Sequence, residues 1–544
     1  MTDVVLDGES LTPEDVVAVA REDATVRIAD DAREAVREAR QRVEDVLDSG
    51  ETVYGLNTGF GELVDQRIPP EDVEQLQTNL VRSHAAGAGR ELDREEVRVL
   101  LLTRINALVK GYSGIREVVV DHLAAMLNHG IHPVVKSRGS LGASGDLAPL
   151  AHMALVLIGE GEALVESEGE TRRLAGDGAL SHADLDPLTL TAKEGLALIN
   201  GTQLTVGLAA LAVHDAERTV RAADAAGALT TEVTMGTTAA CDDAIQAVRP
   251  HRGQRISARN VKRLTEDSEI VESHRNCDRV QDAYSVRCLP QVHGAVRDAV
   301  THLREAVETE LNSATDNPLV FPPDAVDDRA SGTDRAAVLS GGNFHGEPLA
   351  LRLDYLTNAV TELAAICERR TDRMLNPNLQ EPHLPPFLAP DSGLQSGYMI
   401  AQYTAAALLN ENRSTGRPSM DNTPVSGGQE DHVSMSGQSA LNARRAVDNA
   451  TRIVATELLC AAQAAEFVTP EAVREAAPGV DPDEVDADGD GDLAHGVGTA
   501  RVYEAVREVV TPLTEDRPVH EDVDLTAAVI TSGTLDAALG DLVE

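Results

Sequence analysis

The sequence predicts a mostly α-helical protein with a core bundle of long helices. Apolar residues recur at helical spacing in several windows of about twenty residues, which is longer than the usual helix. Strand signals are few and do not alternate with helical ones, so we do not expect a doubly wound sheet. The long windows are rich in Ala, which allows close helix packing of the kind that often builds oligomers.

Five helices and one hairpin follow from these patterns. The first helix carries its apolar residues on one stripe, and Gly50 provides a stop after it. The fourth begins at Pro348, because proline suits the first helical turn. The segment from Glu162 to Leu174 alternates around Glu168-Gly169 and predicts a surface hairpin. The predicted helices span residues 32–47, 204–226, 296–311, 348–373 and 436–467.

The length of 544 residues allows more than one substructure. We predict a globular N-terminal domain of residues 1–200, which holds glycine-rich loops, and a long-helix core domain of residues 201–544 with a C-terminal helical cap.

The charge balance excludes some partners. The chain has 90 Asp plus Glu against 47 Lys plus Arg, and the acids are spread along its whole length. This acid-rich, lysine-poor composition resembles proteins of salt-accumulating halophiles, and it argues against nucleic acid or an anionic membrane as a partner. Five cysteines without a Cys-x-x-Cys pair fit a reducing cytoplasm and argue against a zinc ribbon. The N-terminus has no signal-peptide pattern, and no apolar run approaches ~18 residues.

An acidic stretch, Asp481 to Leu493, has calcium-loop spacing in part. Asp486, Asp488 and Asp490 match such a loop, but Val497 stands where the closing Glu is required. The sequence favours a solvated acidic loop and leaves calcium binding open.

The most unusual stretch is "GSLGASGDLAPLAH", from Gly139 to His152. It has neither the Gly-Lys-Ser/Thr of a P-loop nor the Gly-x-Ser-x-Gly of a hydrolase elbow. If Ala143-Ser144-Gly145 bends tightly, the Gly145 nitrogen reaches the Ala143 carbonyl carbon, and glycine tolerates the dihedrals this needs. Loss of two waters then closes a five-membered ring and converts Ser144 into a methylidene. The backbone itself becomes an electrophile.

Other glycine-flanked stretches bring Tyr, His, Asn, Arg and Glu side chains into predicted loops, where sites are built. Each alone has an ordinary structural explanation, but together they indicate one site. The stretches are "YGLNTGFG" (54–61), "SHAAGAG" (83–89), "INGTQ" (199–203), "QDAYSVRCLPQ" (281–291), "SGGNFHGEP" (340–348) and "GQEDHVSM" (428–435).

These motifs, from about Tyr54 to about Phe467, resemble the aromatic amino acid ammonia-lyases that carry a 4-methylidene-imidazol-5-one (MIO) group. The resemblance implies a fumarase/aspartase-like helical architecture, a homotetramer with sites built from several subunits, and no external cofactor or metal. Within the family, His84 and Glu430 point to L-histidine as the substrate, with trans-urocanate and ammonia as products, the first step of histidine degradation. Two departures, Ala283 for a common Pro and Gly346 for a common Ala, remove no functional group.

The resemblance also implies which residues act. Its catalytic set is Ala143, Ser144 and Gly145, which form the MIO ring, with Tyr54, Tyr284 and Glu430. Its substrate-binding set is His84, Asn200, Gln281, Arg287 and Phe344.

Roles within these sets follow from their chemistry. Tyr54 is the leading candidate base for the β-proton, and the Arg287 guanidinium suits a planar carboxylate. His84 and Glu430 face the imidazole or the amine, and Asp146 supports the loop. The sequence leaves open which Tyr or Glu is the base, and whether the amine or the imidazole ring adds to the MIO group.

Three other functions are distinguished by particular residues. A phenylalanine or tyrosine lyase, or an aminomutase, would share the MIO group but differ at His84 and Glu430. A non-catalytic helical protein would be expected to have lost Ser144 or Tyr54, and a serine hydrolase lacks its elbow.

Overall fold

The computed structural model describes residues 3–50, 53, 55–56, 58, 68–167, 169–275, 279–327, 337–420, 422–471 and 493–544. Most of these residues are helical, so the predicted fold class is confirmed. The α-helices are α1 (Pro13–Arg21), α2 (Asp30–Ser49), α3 (Val73–His84), α4 (Arg94–Val109), α5 (Glu117–Asn128), α6 (Leu147–Leu157), α7 (Gly176–Ser181), α8 (Glu194–Ile199), α9 (Gln203–Val233), α10 (Asp243–Val248), α11 (Arg252–Leu264), α12 (Glu269–Glu272), α13 (Tyr284–Arg287), α14 (Leu289–Leu311), α15 (Glu347–Leu375), α16 (Met399–Ser414), α17 (Ser436–Ala465), α18 (Val497–Arg507), α19 (Val519–Thr531) and α20 (Thr534–Leu539).

The strands are short and form small sheets. They are β1 (Val4–Leu6), β2 (Val26–Ile28), β3 (Ala88–Glu91), β4 (Ile131–Pro133), β5 (Lys136–Arg138), β6 (Glu162–Ser167), β7 (Glu170–Ala175), β8 (Leu319–Phe321) and β9 (Ala337–Leu339). The sheets of the described residues are the parallel pair β1–β2, the antiparallel pairs β3–β5 and β8–β9, and the antiparallel sheet β4–β6–β7. The predicted hairpin is confirmed as β6 paired with β7.

The five predicted helices are all present. In α2 the apolar stripe is buried, and Gly50 ends the helix in the left-handed region at φ 76°, with its N–H bonded to the Leu47 carbonyl. Helix α9 extends to Val233, seven residues beyond the predicted end, because buried Ala, Leu and Thr side chains continue through that turn.

The chain divides into two compact units, each made of separate segments. The first contains Met1–His214, Leu303–Asp354 and Arg417–Arg444, and the second contains Asp215–His302, Tyr355–Gly416 and Arg445–Glu544. The two domains that the sequence analysis defines, residues 1–200 and 201–544, remain a prediction.

In the second unit the long helices pack through polar as well as apolar contacts. Glu457 of α17 accepts hydrogen bonds from Thr230 of α9 at 2.8 Å and from the Arg370 guanidinium of α15 at 2.9 Å. His293 of α14 donates through Nδ1 to Asp224 of α9 at 2.7 Å. Burial alone would raise the pKa of Asp224, but the Arg297 and His293 side chains hold it below its ordinary value. These buried charges are therefore compensated by their partners.

In the first unit, helices α3, α6 and α8 pack against one another, and α4 is buried over almost its whole length. Helix α6 begins directly after Asp146, so the Ala143-Ser144-Gly145 triplet lies in the loop between β5 and α6 and leads directly into a packed helix. Among the described residues, no helix is both long enough and apolar enough to span a bilayer.

Candidate active site

The triplet lies in a tight bend between glycines. Gly142 and Gly145 have φ values of 68° and 74°, the left-handed region that favours glycine. Gly145 forms a parallel bridge with Gly201, and the Asp146 N–H donates to the Gly201 carbonyl at 2.7 Å. A Cβ atom on Gly145 would lie 2.2 Å from the Gly201 oxygen. The two backbones touch, and only glycine at position 145 permits this.

Two side chains hold Ser144. The Asn200 Nδ2 group donates to the Ser144 carbonyl at 2.8 Å, and the Ser144 hydroxyl donates to Glu430 Oε1 at 3.1 Å. Asn200 is buried, and its Oδ1 atom has no hydrogen-bond partner within the described part of the chain. The structure thus brings Ser144, Asn200 and Glu430 together, as expected of one site.

Asp146 connects the loop to helix α9 through hydrogen bonds of its buried carboxyl. Its carboxyl accepts hydrogen bonds from the Ser140 hydroxyl at 2.7 Å and from the Thr205 N–H at 2.8 Å. Burial raises the pKa of Asp146, although these hydrogen bonds act in the opposite direction. The Thr205 hydroxyl also lies 3.0 Å from that of Ser436, which joins the start of α17 to the same network.

Two further loops close on the triplet through backbone contacts. The Gly346 N–H and the Ser434 hydroxyl both donate to the Gly142 carbonyl, at 2.9 and 3.0 Å. A Cβ on Gly346 would lie 2.1 Å from the Ser436 hydroxyl, which explains glycine at a position where the resemblance leads one to expect alanine. Half-buried Phe344 lies in the first of these loops.

His84 is the last residue of α3 and is half-buried. Its Nδ1 atom lies 2.8 Å from the Leu80 carbonyl. A carbonyl oxygen only accepts hydrogen bonds, so Nδ1 carries the proton of this contact, and Nε2 takes no part in it. The ring orientation is therefore set by its own helix.

Three predicted site residues belong to the second unit. The short helix α13 begins at Tyr284 and ends at Arg287, whose guanidinium carbon lies 4.7 Å from the Tyr284 ring centroid. Tyr284 is 73% exposed and Gln281 is also exposed. Arg370 supports this helix by donating to the Ser285 carbonyl at 3.2 Å.

Two predictions fall outside the described residues. Tyr54 is one, although its neighbour Gly55 is described and packs against Pro318. Residues 481–492 of the acidic stretch are the other. The described residues contain no group of three or more His, Cys, Asp or Glu side chains arranged to hold a metal ion.

Sequence reasoning missed Glu310 and Arg104. Glu310 of α14 accepts a hydrogen bond from the Thr202 hydroxyl at 2.5 Å. Burial of its carboxyl raises the pKa of Glu310, and the negative charge of Asp146 also raises it. The signal was present, because residue 310 lies three positions after buried Val307 on the apolar face of its helix.

The residues present fit an MIO group. The bend places the triplet in a backbone cradle that any Cβ at Gly145 would fill, and the buried Asn200 side chain is directed at the Ser144 carbonyl. The Ser144 hydroxyl, which must leave, contacts a carboxylate. Ala143, Ser144 and Gly145 would supply the ring atoms themselves.

Known proteins match this chain over nearly its whole length. A family model described as aromatic amino acid lyase matches residues 11–508. A probable histidine ammonia-lyase of Halobacterium salinarum is 63% identical over 98% of this chain and 97% of that protein. The crystal structure of histidine ammonia-lyase from Trypanosoma cruzi has a TM-score of 0.87 at 39% identity, covering 100% of this chain and 96% of that one. The tyrosine aminomutase of Streptomyces globisporus has a TM-score of 0.85 at 36% identity, covering 100% and 99%.

The contact between Gly145 and Gly201 generates a first prediction. Gly145→Ala should destabilise the protein by about 1–3 kcal/mol more than Gly169→Ala, because its methyl group would meet the Gly201 backbone. Gly169 has a similar φ of 81° with nothing within 4 Å of an added Cβ, so it isolates the cost of the dihedral, about 1–2 kcal/mol. Urea unfolding of both variants measures the difference, and equal losses would contradict the close contact.

Glu310 generates a second prediction. Because burial raises its folded-state pKa above the ordinary value of about 4.3, the folded state holds the proton more tightly than the unfolded state. The contribution of Glu310 to the free energy of unfolding is therefore fully present below its ordinary pKa, and it is lost as the pH rises through the folded-state pKa. Glu310→Gln keeps an acceptor for Thr202 and does not titrate, so its stability relative to the parent should increase with pH.

Urea unfolding at constant salt, over pH about 4 to 8, tests this. The exposed Glu170→Gln on the hairpin is the matched control. A pH-independent difference between Glu310→Gln and the parent would refute the prediction.

Proposed function

Since the chain belongs to the aromatic amino acid lyase family, we propose that it eliminates ammonia from L-histidine to give trans-urocanate. The observation that carries the proposal is the arrangement around Ser144, whose carbonyl is held by Asn200 and whose hydroxyl contacts Glu430. Histidine is favoured among the family's substrates because His84 and Glu430 are both present, and because a 63% identical relative is named a probable histidine ammonia-lyase.

In this proposal, Ala143, Ser144 and Gly145 form the MIO group. That group supplies an electron-poor methylidene carbon, which no standard side chain offers. Asn200 donates to the Ser144 oxygen and stabilises negative charge that develops there. This donor is buried and already oriented, so little reorganisation is needed when charge appears.

The substrate is held at both ends. The Arg287 guanidinium binds the substrate carboxylate, and its stacking on Tyr284 fixes the plane of the fork. His84 and Glu430 face the imidazole or the amine. Gln281 and Phe344 line the site.

Tyr54 removes the β-proton in this proposal. An ordinary tyrosine has a pKa near 10, so the phenol must be made more acidic by nearby positive charge or helix N-termini. Tyr284 and Glu430 are the other proton-transfer groups of the site. Glu430 is within hydrogen-bond distance of Ser144, which places a carboxylate beside the reacting carbon.

We also propose a cytoplasmic homotetramer. Large apolar side chains of the second unit are exposed in the single chain, with Val280 at 93%, Leu394 at 84% and Tyr403 at 62%. Association would cover such surface. A site built from several subunits would also account for the exposure of Tyr284. The described cysteines Cys241, Cys288, Cys367 and Cys460 are free, in keeping with a reducing compartment.

The function is tested by following urocanate absorbance in the near ultraviolet after L-histidine is added in concentrated salt. Ser144→Ala should abolish the reaction, whereas Ser181→Ala, an exposed serine of α7, should retain it. Glu430→Gln should lower kcat by about 10²–10⁴ as a proton-transfer group is lost. Reaction with phenylalanine or tyrosine in place of histidine would reassign the substrate, and formation of a β-amino acid would indicate an aminomutase.

The acidic composition predicts dependence on salt. With a formal net charge of −43, the folded chain repels itself, and salt screens this repulsion. The melting temperature should rise steeply between about 0.1 M and about 2 M KCl, because the Debye length falls from about 10 Å to below about 3 Å. Sucrose, which is uncharged, is the control and replaces KCl in a parallel series. An equal rise of the melting temperature in sucrose would contradict a screening mechanism.

A further inference from the structure

Arg104 of α4 is fully buried beside the loop that follows α8. Its Nη1 group donates to the Asn200 carbonyl at 2.9 Å and to Gln203 Oε1 at 2.6 Å, and its Nη2 group donates to the Ala197 carbonyl. One guanidinium thus binds three acceptors within seven residues of chain. Its five donors in a rigid plane suit such a task.

The segment that Arg104 binds is the one that holds the triplet. Asn200 donates to the Ser144 carbonyl, and the Gly201 carbonyl accepts from the Asp146 N–H. Gly145 lies between these two hydrogen bonds, with its backbone against that of Gly201. The peptide planes on both sides of the Gly145 residue are therefore fixed by residues 200 and 201.

The charge of Arg104 is used on these acceptors. Burial lowers the pKa of Arg104 to about 10, so the group is still cationic at neutral pH. The charge of nearby Asp316 acts in the opposite direction and raises the pKa of Arg104, but Asp316 is shared with buried Lys193, with which it forms an ion pair at 2.7 Å, and no described carboxylate forms a direct ion pair with Arg104. Burying a charge without a direct ion pair is costly, and stability alone gives little reason to retain it. Fixing the geometry of the 197–203 segment does give one.

We propose that Arg104 is a positioning residue for formation of the MIO group, because it fixes the Asn200–Gly201 segment against which the triplet closes. The inference rests on the proposed function. In the closing step the Gly145 nitrogen bonds to the Ala143 carbonyl carbon, and the Ala143 oxygen leaves as water with the amide hydrogens of Ser144 and Gly145. Ser144 then loses its hydroxyl and its Cα hydrogen as a second water.

Ring closure depends on a short approach between two backbone atoms. A displacement of about 1 Å costs an intramolecular reaction about 10²-fold in rate, so relaxation of residues 200 and 201 should slow closure strongly. Arg104→Met removes all three hydrogen bonds but retains an apolar side chain of comparable length. Arg104→Lys keeps the charge but not the planar fork.

Arg98 provides a matched control on the same helix. It is also buried, at 4% exposure, and it also donates to backbone carbonyls, those of Val19 and Leu127 at 2.8 and 3.1 Å. Arg98→Met therefore removes a buried guanidinium from carbonyl acceptors without touching residues 197–203. Any effect common to both variants reflects general destabilisation.

The test follows intact mass after a pulse of expression and measures the fraction of chains that have lost two waters. The parent and Arg98→Met should lose both, whereas Arg104→Met should do so about 10- to 100-fold more slowly, with partial rescue by Arg104→Lys. Circular dichroism establishes that each variant is folded. If Arg104→Met does not fold, Arg104→Lys decides, and a parental rate in that variant overturns the proposal.

The outcomes separate the inference from the function on which it rests. A parent that keeps both waters overturns the proposed function and this inference with it. A parent and an Arg104→Met variant that lose both waters at one rate overturn the inference alone. Slow loss in Arg104→Met with parental loss in Arg98→Met supports it.

Discussion

The close contact between the backbones of Gly145 and Gly201 is the constraint on which the rest of the site depends. A Cβ at position 145 would lie 2.2 Å from the Gly201 oxygen, and one at position 201 would lie 2.6 Å from Arg104 Nη1. Two chain segments 56 residues apart can therefore lie in contact because position 145 carries no side chain, whereas glycine at position 201 leaves room for the Arg104 guanidinium. The contact brings the Asn200 amide to the Ser144 carbonyl and sets Asp146 at the start of α6. A site assembled from backbone atoms requires this kind of packing, since no side-chain rotamer can compensate for a misplaced peptide.

The sequence predicted the helices well because their signals are local. The α2 stripe and its Gly50 stop, or the alternation on either side of Gly169, depend on residues within a few positions of each other. The sequence also predicts Asn200 and Glu430 as site residues, since glycine-flanked polar residues stand out in a helical chain, and in the structure both contact Ser144. Gly346 is explained only in three dimensions, by a Ser436 hydroxyl that leaves no room for a methyl group.

Arg104 and Glu310 were not predicted, for a physical reason. A charged residue in a helix is ordinarily solvated, so even a position on an apolar helix face does not by itself predict a buried charge. The acceptors of Arg104 lie more than 90 positions away, at Ala197, Asn200 and Gln203, and the donor to Glu310 is Thr202. Their burial is a property of the tertiary packing alone. Helical spacing placed residue 310 on an apolar face, but spacing cannot tell a buried carboxyl from one that reaches solvent.

The two units use buried arginines in related ways with different compensation. In the second unit, Arg370 is neutralised by Glu457 and still donates to the Ser285 carbonyl, within the helix that carries Tyr284 and Arg287. In the first unit, Arg104 has only neutral acceptors around Asn200. Removing Glu457 would leave a buried cation unpaired, whereas Arg104 already tolerates that condition. A guanidinium buried without a direct ion pair is costly to retain, and the geometry that Arg104 imposes on residues 197–203 gives a reason to retain it. Arg104, rather than the better-paired Arg370, is therefore the buried arginine to which we assign the role of holding backbone in place.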